Sequence, residues 1–411
     1  MSQSLPPTAR NLFRHGMLPD VSHDESARMN VLAALNSFVG RTLSPGVRAA
    51  FDRDVAPTLT DADKDLNDPR VRVGATVRSK IGGNAIYQHW ASLRRNIQEM
   101  NRQNARRIAL RQMDRLTDRA RQLSDGAPGL DLDPGTEIPR YLSEADNHLQ
   151  PGGYHAELKS GDVTAAATYD LATFVTAAGG FGPKGDSGGR AAAKWLKDRV
   201  PAFKPRRILD IGSAHGNNTL PLAAAFPEAE VVALDAGAPV LRYGHARARS
   251  MGFGNVRFVQ RAAEDIDDSL GTFDWIQTTM FWHETSTAAV DKVMKRIFAA
   301  LRPGGVVINL EQPNFTDATP LFDRFMRNWD AWYNNEPFWA RLHDMNMIEA
   351  MAAAGFDRAK CFEGGVNPDL EPGHYPPWAR VVGRHDHEHA GAAAGQQGYN
   401  GENWYLFGAW K

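Results

Sequence analysis

The sequence predicts an α/β protein: a seven-stranded, mostly parallel sheet with helices on both faces, preceded by an all-helical N-terminal domain. Two observations predict it. From Arg206 onward, short apolar runs alternate with helix-length amphipathic segments at the spacing of strand-helix-strand units. Before about residue 140 the chain is polar and carries helical periodicity without strand-like runs. At 411 residues it is long enough for two domains. The expected divisions are a helical region over 1–140, connecting helices over 141–200 and a sheet domain over 201–411, with an aromatic insertion at about 311–345.

The elements follow in order. From Ile86, the apolar positions Trp90, Leu93, Ile97 and Met100 recur in alternating four- and three-residue steps, the seam of a bundle or coiled-coil helix. Asn104 interrupts that seam before Ile108, as a polar residue does where register or partner number is fixed, so the helix is a candidate homodimer face. The same stretch is rich in arginine (Arg94, Arg95, Arg102, Arg106, Arg107, Arg111, Arg115, Arg119, Arg121). No aromatic residues interleave with these cations, and a solvated helix face is the simpler reading than a nucleic-acid surface. Residues 124–139 are dense in Gly, Pro and Asp and read as a linker. The segment 141–157 then brings aromatics, two histidines and a Pro-Gly-Gly turn. A glycine cluster separates the helix containing Tyr169 from one around Trp195; Lys184 within it lacks the strand and spacing of a phosphate loop.

The strands are expected at "RILDIG", "AEVVALDAG", "NVRFVQRAAED", "FDWIQTTMFWHE" and "GGVVINLEQP", with a sixth near Phe356 to Phe362 and a last, antiparallel one in "ENWYLFGAWK". Pro303, Gly304 and Gly305 are explained by a tight turn from helix to strand. Ligands of such sheets bind beyond the carboxyl ends of the strands, where the turn "GSAHGNN" sits.

That turn tests three ligands. A P-loop ends in Lys followed by Ser or Thr, and neither is present. A dinucleotide turn reads G-x-G-x-x-G, whereas here Gly212 is followed by Ser213, Ala214, His215 and Gly216. Asp210 at the strand end would repel a pyrophosphate and suits a cation, such as an amino group or a sulfonium with an amino-acid tail. His215 is expected to face water.

"LDIGSAHG", with an acid ending the next strand at Asp235, resembles the class I S-adenosylmethionine-dependent methyltransferases over roughly residues 160 to 411. The resemblance implies a Rossmann-like fold and S-adenosyl-L-methionine as cofactor. It places Asp210, Gly212, Ser213 and Gly216 at the methionine part, and Asp235 with Ala236 at the ribose, whose hydroxyls a carboxylate can accept. Ala263 and Glu264 in "VQRAAED" fall at the adenine. Many members read "GDA" where this chain has Arg261, Ala262 and Ala263, so Glu264 or Asp265 stands in for the usual adenine-amine acceptor. Tyr169 and Thr279 complete the candidate cofactor contacts.

Methyl transfer is an in-line displacement in which alignment and exclusion of water carry most of the catalysis. His283, just past the fourth strand, matches the position of the histidine base of small-molecule O-methyltransferases, and equally a histidine that only packs against the turn; Glu284 beside it is a candidate to orient His283 or to contact the acceptor. The "NPPY" signature of amino-group methylation on DNA bases and glutamine is replaced by "QTTM". The aromatic insertion (Phe322, Phe325, Trp329, Trp332, Tyr333, Phe338, Trp339) reads as an acceptor cap or as core against the N-terminal helices. The expected reaction is methylation of a small acceptor, aromatic or hydroxyl-bearing. An aminopropyl-transferring relative and an RNA-associated binding module are the alternatives.

Composition narrows the partners. A net charge of −1 gives no electrostatic case for nucleic acid or a membrane surface. No run approaches the ~20 apolar residues of a spanning helix, and the first residues lack a signal peptide's apolar core, so the chain reads as cytoplasmic. The single Cys361 excludes an internal disulfide and thiolate-rich metal centres, and no dedicated metal site is expected. His385, His387 and His389 sit in a Gly/Ala-rich stretch that suits adventitious metal binding at most.

Overall fold

The computed structural model describes residues 12–177, 179–370 and 404–411. Its strands are β1 (Leu130–Asp131), β2 (Arg207–Ile211), β3 (Glu230–Asp235), β4 (Val256–Gln260), β5 (Phe273–Thr279), β6 (Leu301–Glu311), β7 (Cys361–Val366) and β8 (Trp404–Trp410). They form one sheet in the order β1-β4-β3-β2-β5-β6-β8-β7. The first six strands pair in parallel, and β8 lies antiparallel between β6 and β7.

Alternation of side chains along each strand creates two apolar faces. Leu209, Ile211, Val232 and Leu234 point to one side, against Val290, Val293, Met294 and Ile297 of the Thr287–Ala300 helix. Ile208, Val231 and Ala233 point to the other, against Ala192 and Leu196 of the Ser187–Arg199 helix and Leu241 of the Ala238–Ser250 helix. This is the expected parallel sheet covered on both faces.

Three local expectations differ from the structure. The sheet has eight strands, not seven, because Leu130 and Asp131, inside the stretch read as a linker, pair with Phe258 and Val259 as a parallel edge strand. Two residues are too few to display a period of two. The sixth strand of the expected set begins at Cys361, after Gly355 closes the Met347–Ala354 helix with φ of 116°. Pro303, Gly304 and Gly305 lie inside β6, where the register against β5 shifts between Phe273 and Trp275.

The N-terminal helices pack onto the sheet domain. In the Ala85–Leu110 helix, Trp90, Ile97 and Ile108 of the expected seam are buried within this chain, while Ile86 and Met100 of the same seam are exposed. The aromatic insertion covers Trp90 and Ile97, with Trp90 meeting Trp329 edge-on at 5.9 Å and Phe322 and Phe325 in the same core, whereas Ile108 packs on Leu171 and Phe174. The packing reading of these aromatics therefore holds for Phe322, Phe325 and Trp329. Several of the arginines are engaged inside the chain. Arg94 pairs with Asp330 at 3.1 Å, Arg111 with Glu25 at 2.8 Å and Arg115 with Asp20 at 3.1 Å, while Arg102 is fully buried. Among the described residues no helix is long and apolar enough to cross a membrane. The His385, His387 and His389 cluster lies outside the described residues.

The Ser187–Arg199 helix starts hard against the turn after β2. A Cβ on Gly189 would stand 2.1 Å from the Asn218 carbonyl oxygen, and the Gly189 N–H donates to Asn218 Oδ1 at 2.9 Å. Gly189→Ala is expected to cost about 1–3 kcal/mol in urea denaturation, the usual range for overpacking. An unchanged midpoint would mean that helix and turn are not in contact.

Candidate functional site

The site begins where β2 runs out. Gly212 has φ of 70°, and a Cβ there would meet the Phe281 ring at 2.4 Å, so both conformation and space require glycine. Ala214, at φ of 45°, is held in the same unusual region by its N–H, which donates to Asp235 Oδ2 at 2.9 Å. The N–H groups of Gly212 and Ser213 both donate to the Leu234 carbonyl, tying the turn to the end of β3. The other oxygen of Asp235 accepts the Gly237 N–H at 2.9 Å, and each oxygen keeps a lone pair for a ligand.

A cleft opens above these strand ends, about 1310 Å³ counting the space open to solvent. Its walls bring together Tyr169, Asp210, Gly212, Ser213, Asp235, Ala236, Ala263, Glu264, Thr279 and Glu284, drawn from four strands and the Thr164–Thr176 helix. Two sequence candidates are elsewhere. Gly216 sits under the Phe258 ring, where a Cβ would approach to 3.2 Å, so its role is to let the turn pack on the sheet. His283 lies behind Glu284, outside the cleft wall.

His215 also departs from expectation. It is buried rather than facing water, with Nε2 3.5 Å from Asp170. The Asp170 carboxylate also accepts from Tyr243 Oη at 2.7 Å and lies 2.9 Å from His15 Nε2. Burial opposes its ionisation, but His215 and His15 outweigh that and hold it well below the usual carboxylate range. The turn is thereby pinned to the helix that carries Tyr169.

Burial pushes Asp210 up to about 7, with Asp235 adding repulsion and the Thr219 hydroxyl giving only partial relief. Burial likewise raises Asp235 to about 6, against the backbone donors of Gly237 and Ala214. Both are carboxylates waiting for a positive or hydrogen-bonding partner. Ser213 Oγ and Glu264 Oε2 are buried and have no hydrogen-bond partner among the described residues, while Glu264 Oε1 accepts from Tyr141 Oη at 2.8 Å. Asp265 is exposed and reaches Lys292 at 3.3 Å, so of the two acids only Glu264 lines the cleft. The donor set fits S-adenosylmethionine: acids for an amino group and ribose hydroxyls, a glycine cradle, and an acceptor for the adenine amine.

The far wall is a buried polar assembly. Glu311, closing β6, accepts the Trp282 N–H at 2.7 Å and faces His283 Nδ1 at 2.7 Å. Glu284 Oε1 accepts from Tyr154 Oη at 2.9 Å and lies 2.9 Å from His148 Nε2. His148 Nδ1 is 2.6 Å from Glu336, whose side chain is fully buried. Burial disfavours a charge on His283, yet Glu311, Glu284 and Glu336 overcome it and raise the imidazole to about 9. Burial similarly opposes ionisation of Glu284, but its contact with His148 holds it below the usual range. Tyr141, Tyr154, His148, Glu311 and Glu336 were not identified from sequence. The only signal was the concentration of aromatics and histidines over 141–157.

Comparison with known proteins agrees with this geometry. Residues 208–305 match the family described as "Methyltransferase domain". That segment is a class I methyltransferase domain of the S-adenosylmethionine-dependent kind. The chain is 31% identical over 146 residues to a trans-aconitate 2-methyltransferase of Methylobacterium radiotolerans, covering 35% of this chain and 52% of that protein. It is 32% identical over 109 residues to a demethylmenaquinone methyltransferase of Thermus thermophilus, covering 26% of this chain and 48% of that one. Among solved structures, Haemonchus contortus phosphoethanolamine N-methyltransferase 2 with S-adenosyl-L-methionine aligns at 18% identity and a TM-score of 0.35, over 53% of this chain and 51% of that chain. The chain spans about half the length of the curated relatives it matches.

The two raised carboxyls set a pH dependence. Each has a folded-state pKa above its unfolded value, so its contribution to folding is full at low pH and is lost as pH rises through about 6 for Asp235 and about 7 for Asp210. A ligand that presents an ammonium group and ribose hydroxyls reverses the preference, because it needs the ionised forms. The affinity for S-adenosylhomocysteine is expected to rise from about pH 6 to about pH 8, and Asp210→Asn to flatten that rise in calorimetric titrations. A wild-type affinity that falls over the interval would contradict these roles.

Proposed function

We propose that the chain transfers a methyl group from S-adenosylmethionine to a small acceptor that presents a hydroxyl or amine to Glu284. The observation that carries the reading is the convergence of Asp210, Gly212, Asp235, Glu264 and Glu284 on one cleft at the carboxyl ends of the parallel strands. The cofactor supplies an electrophilic methyl group, transferred as its bond to sulfur breaks and the acceptor bond forms. The chain's own residues bind and align. Asp210 holds the amino group, Asp235 accepts the ribose hydroxyls, and Glu264 takes the adenine amine.

Glu284 shares a wall of the cleft with Tyr154, Tyr169 and Thr285. Held ionised by His148 and fixed by Tyr154, it accepts a hydrogen bond from the reacting hydroxyl or amine, sets its direction and takes the proton that the acceptor gives up as the new bond forms. His283, with Nδ1 on Glu311 and Nε2 3.8 Å from Glu284, is a positioning residue in this reading and not the base. Among the described residues the cleft wall carries Asp210, Asp235, Glu264 and Glu284 against the single guanidinium of Arg261, which disfavours a polyanionic acceptor.

Labelled methyl incorporation from S-adenosylmethionine, screened across hydroxylated and aminated aromatic compounds, tests the activity. Asp210→Ala and Asp235→Ala are each expected to weaken S-adenosylhomocysteine binding by about tenfold or more, about 1.4 kcal/mol. Glu284→Gln is expected to lower kcat by at least about tenfold while that affinity stays within about threefold. An Asp210→Ala protein that binds as tightly as wild type would sink the cofactor assignment, and unchanged turnover in Glu284→Gln would remove the acceptor role.

A further inference from the structure

Behind Glu284, His148, His283 and Glu336 close on one point. The candidate donor atoms of these four residues all lie within 4.8 Å of one another. They come from three separate stretches: the Asn147–Leu149 turn, the Trp282–Glu284 turn and the segment before the Trp339–His343 helix. We propose that His148, His283, Glu284 and Glu336 form a binding site for a divalent first-row transition-metal ion of the zinc class, a site the sequence did not lead us to expect.

Four features point to a metal rather than a closed ion-pair network. Two imidazoles and two carboxylates are the mixed nitrogen and oxygen set that suits zinc, iron or manganese and not magnesium or calcium. Ligand bonds of about 2.0–2.1 Å place tetrahedral donors ~3.4 Å apart. Glu284 Oε1 lies 2.9 Å from His148 Nε2 and 3.8 Å from His283 Nε2, on either side of that spacing, while Glu336 meets the other nitrogen of His148 at 2.6 Å and would have to shift to join them. His283 has its Nδ1 on the buried Glu311 at 2.7 Å, which leaves Nε2 directed at Glu284. A carboxylate behind a ligating histidine is the recurring arrangement that fixes its tautomer and sharpens its basicity.

The fourth feature is an unmet valence. The Glu336 side chain is fully buried, and its Oε2 has no hydrogen-bond partner among the described residues. A buried carboxylate oxygen left without a donor carries an uncompensated desolvation cost, and a cation removes that cost. Asn334, beside His148 at 3.3 Å, likewise has a buried Oδ1 without a partner, so the assembly as a whole is short of positive or donating groups. Glu284 belongs to both the cluster and the cleft wall, so the ion would sit just behind the proposed acceptor position. The inference stands on these residues and does not require the methyltransferase reading.

The full-length protein, stripped with a chelator and dialysed, is titrated with Co²⁺ followed by its visible absorption, then with Zn²⁺ in competition. One equivalent of Co²⁺ with ligand-field bands is expected, displaced by Zn²⁺. His148→Ala and Glu336→Gln, checked for folding by thermal melting, are each expected to weaken Co²⁺ binding at least about tenfold. A protein with His385, His387 and His389 all replaced by alanine is expected to keep the bound equivalent. The proposal is overturned if the stripped wild type takes up no Co²⁺ or Zn²⁺, if folded His148→Ala and Glu336→Gln proteins bind as wild type does, or if the triple-alanine variant loses the equivalent. Because the readout is the metal's own spectrum, failure here leaves the cofactor and acceptor roles untouched.

Discussion

The carboxylate of Glu311 is the constraint on which the geometry of the site depends. It stands at the end of β6, buried, and takes the backbone N–H groups of Trp282 and Gln312, each at 2.7 Å, and the ring of His283. Asn309, two residues earlier on the same face of the strand, accepts from Trp282 Nε1 at 3.0 Å and Thr278 Oγ1 at 2.8 Å. Together they fasten the turn after β5 to the neighbouring strand. Glu284 is carried on that turn, so the direction in which it faces the cleft is set by β6. The Phe281 ring, on the same turn, covers Gly212 across the sheet top, which carries the constraint through to the cofactor side.

What the sequence made legible follows from chain distance. The β2 turn, Asp235 and Glu264 each belong to a strand and the loop directly after it, so a local motif contains both the residue and its placement. Thr279 and Glu284 follow β5 in the same way. The fold itself was readable because its strands are apolar runs of five or more residues separated by amphipathic helices. β1 was not, since Leu130 and Asp131 become a strand only through β4. His215 and Gly216 were misplaced for a related reason: their roles depend on Asp170 and Phe258, which no local spacing reveals.

The partners of His148 were beyond any pattern. Glu336 lies far along the chain in the aromatic insertion and meets His148 because Trp329 and Phe325 pack on Trp90 and Tyr87 of the long N-terminal helix. Arg102 on that helix reaches His148 as well, donating to its carbonyl at 3.1 Å while its guanidinium lies over the Tyr169 ring at 5.3 Å. An arginine stretch that reads as a solvated face thus supplies the buried cation of the site's outer shell. Burying Arg102 is tolerable because carbonyl, amide and aromatic partners surround it. The insertion and the N-terminal helices therefore act jointly behind the cleft: they hold Glu336 and Arg102 on His148, which backs Glu284.

The charge of the cleft has a consequence for turnover. Asp210, Asp235, Glu264 and Glu284 face a space that, among the described residues, only Arg261 counters with a guanidinium. Under the proposed reaction the methyl donor carries a sulfonium and an ammonium against one carboxylate, a net positive charge; the product left after transfer has lost the sulfonium and is neutral overall. Two unit charges 4 Å apart interact by about 4 kcal/mol at an effective dielectric of 20, so even a fraction of that field separates the two species. The same carboxylates that gather the donor then hold its product less tightly. In an acid-lined cleft the transfer itself therefore weakens the grip on what must leave.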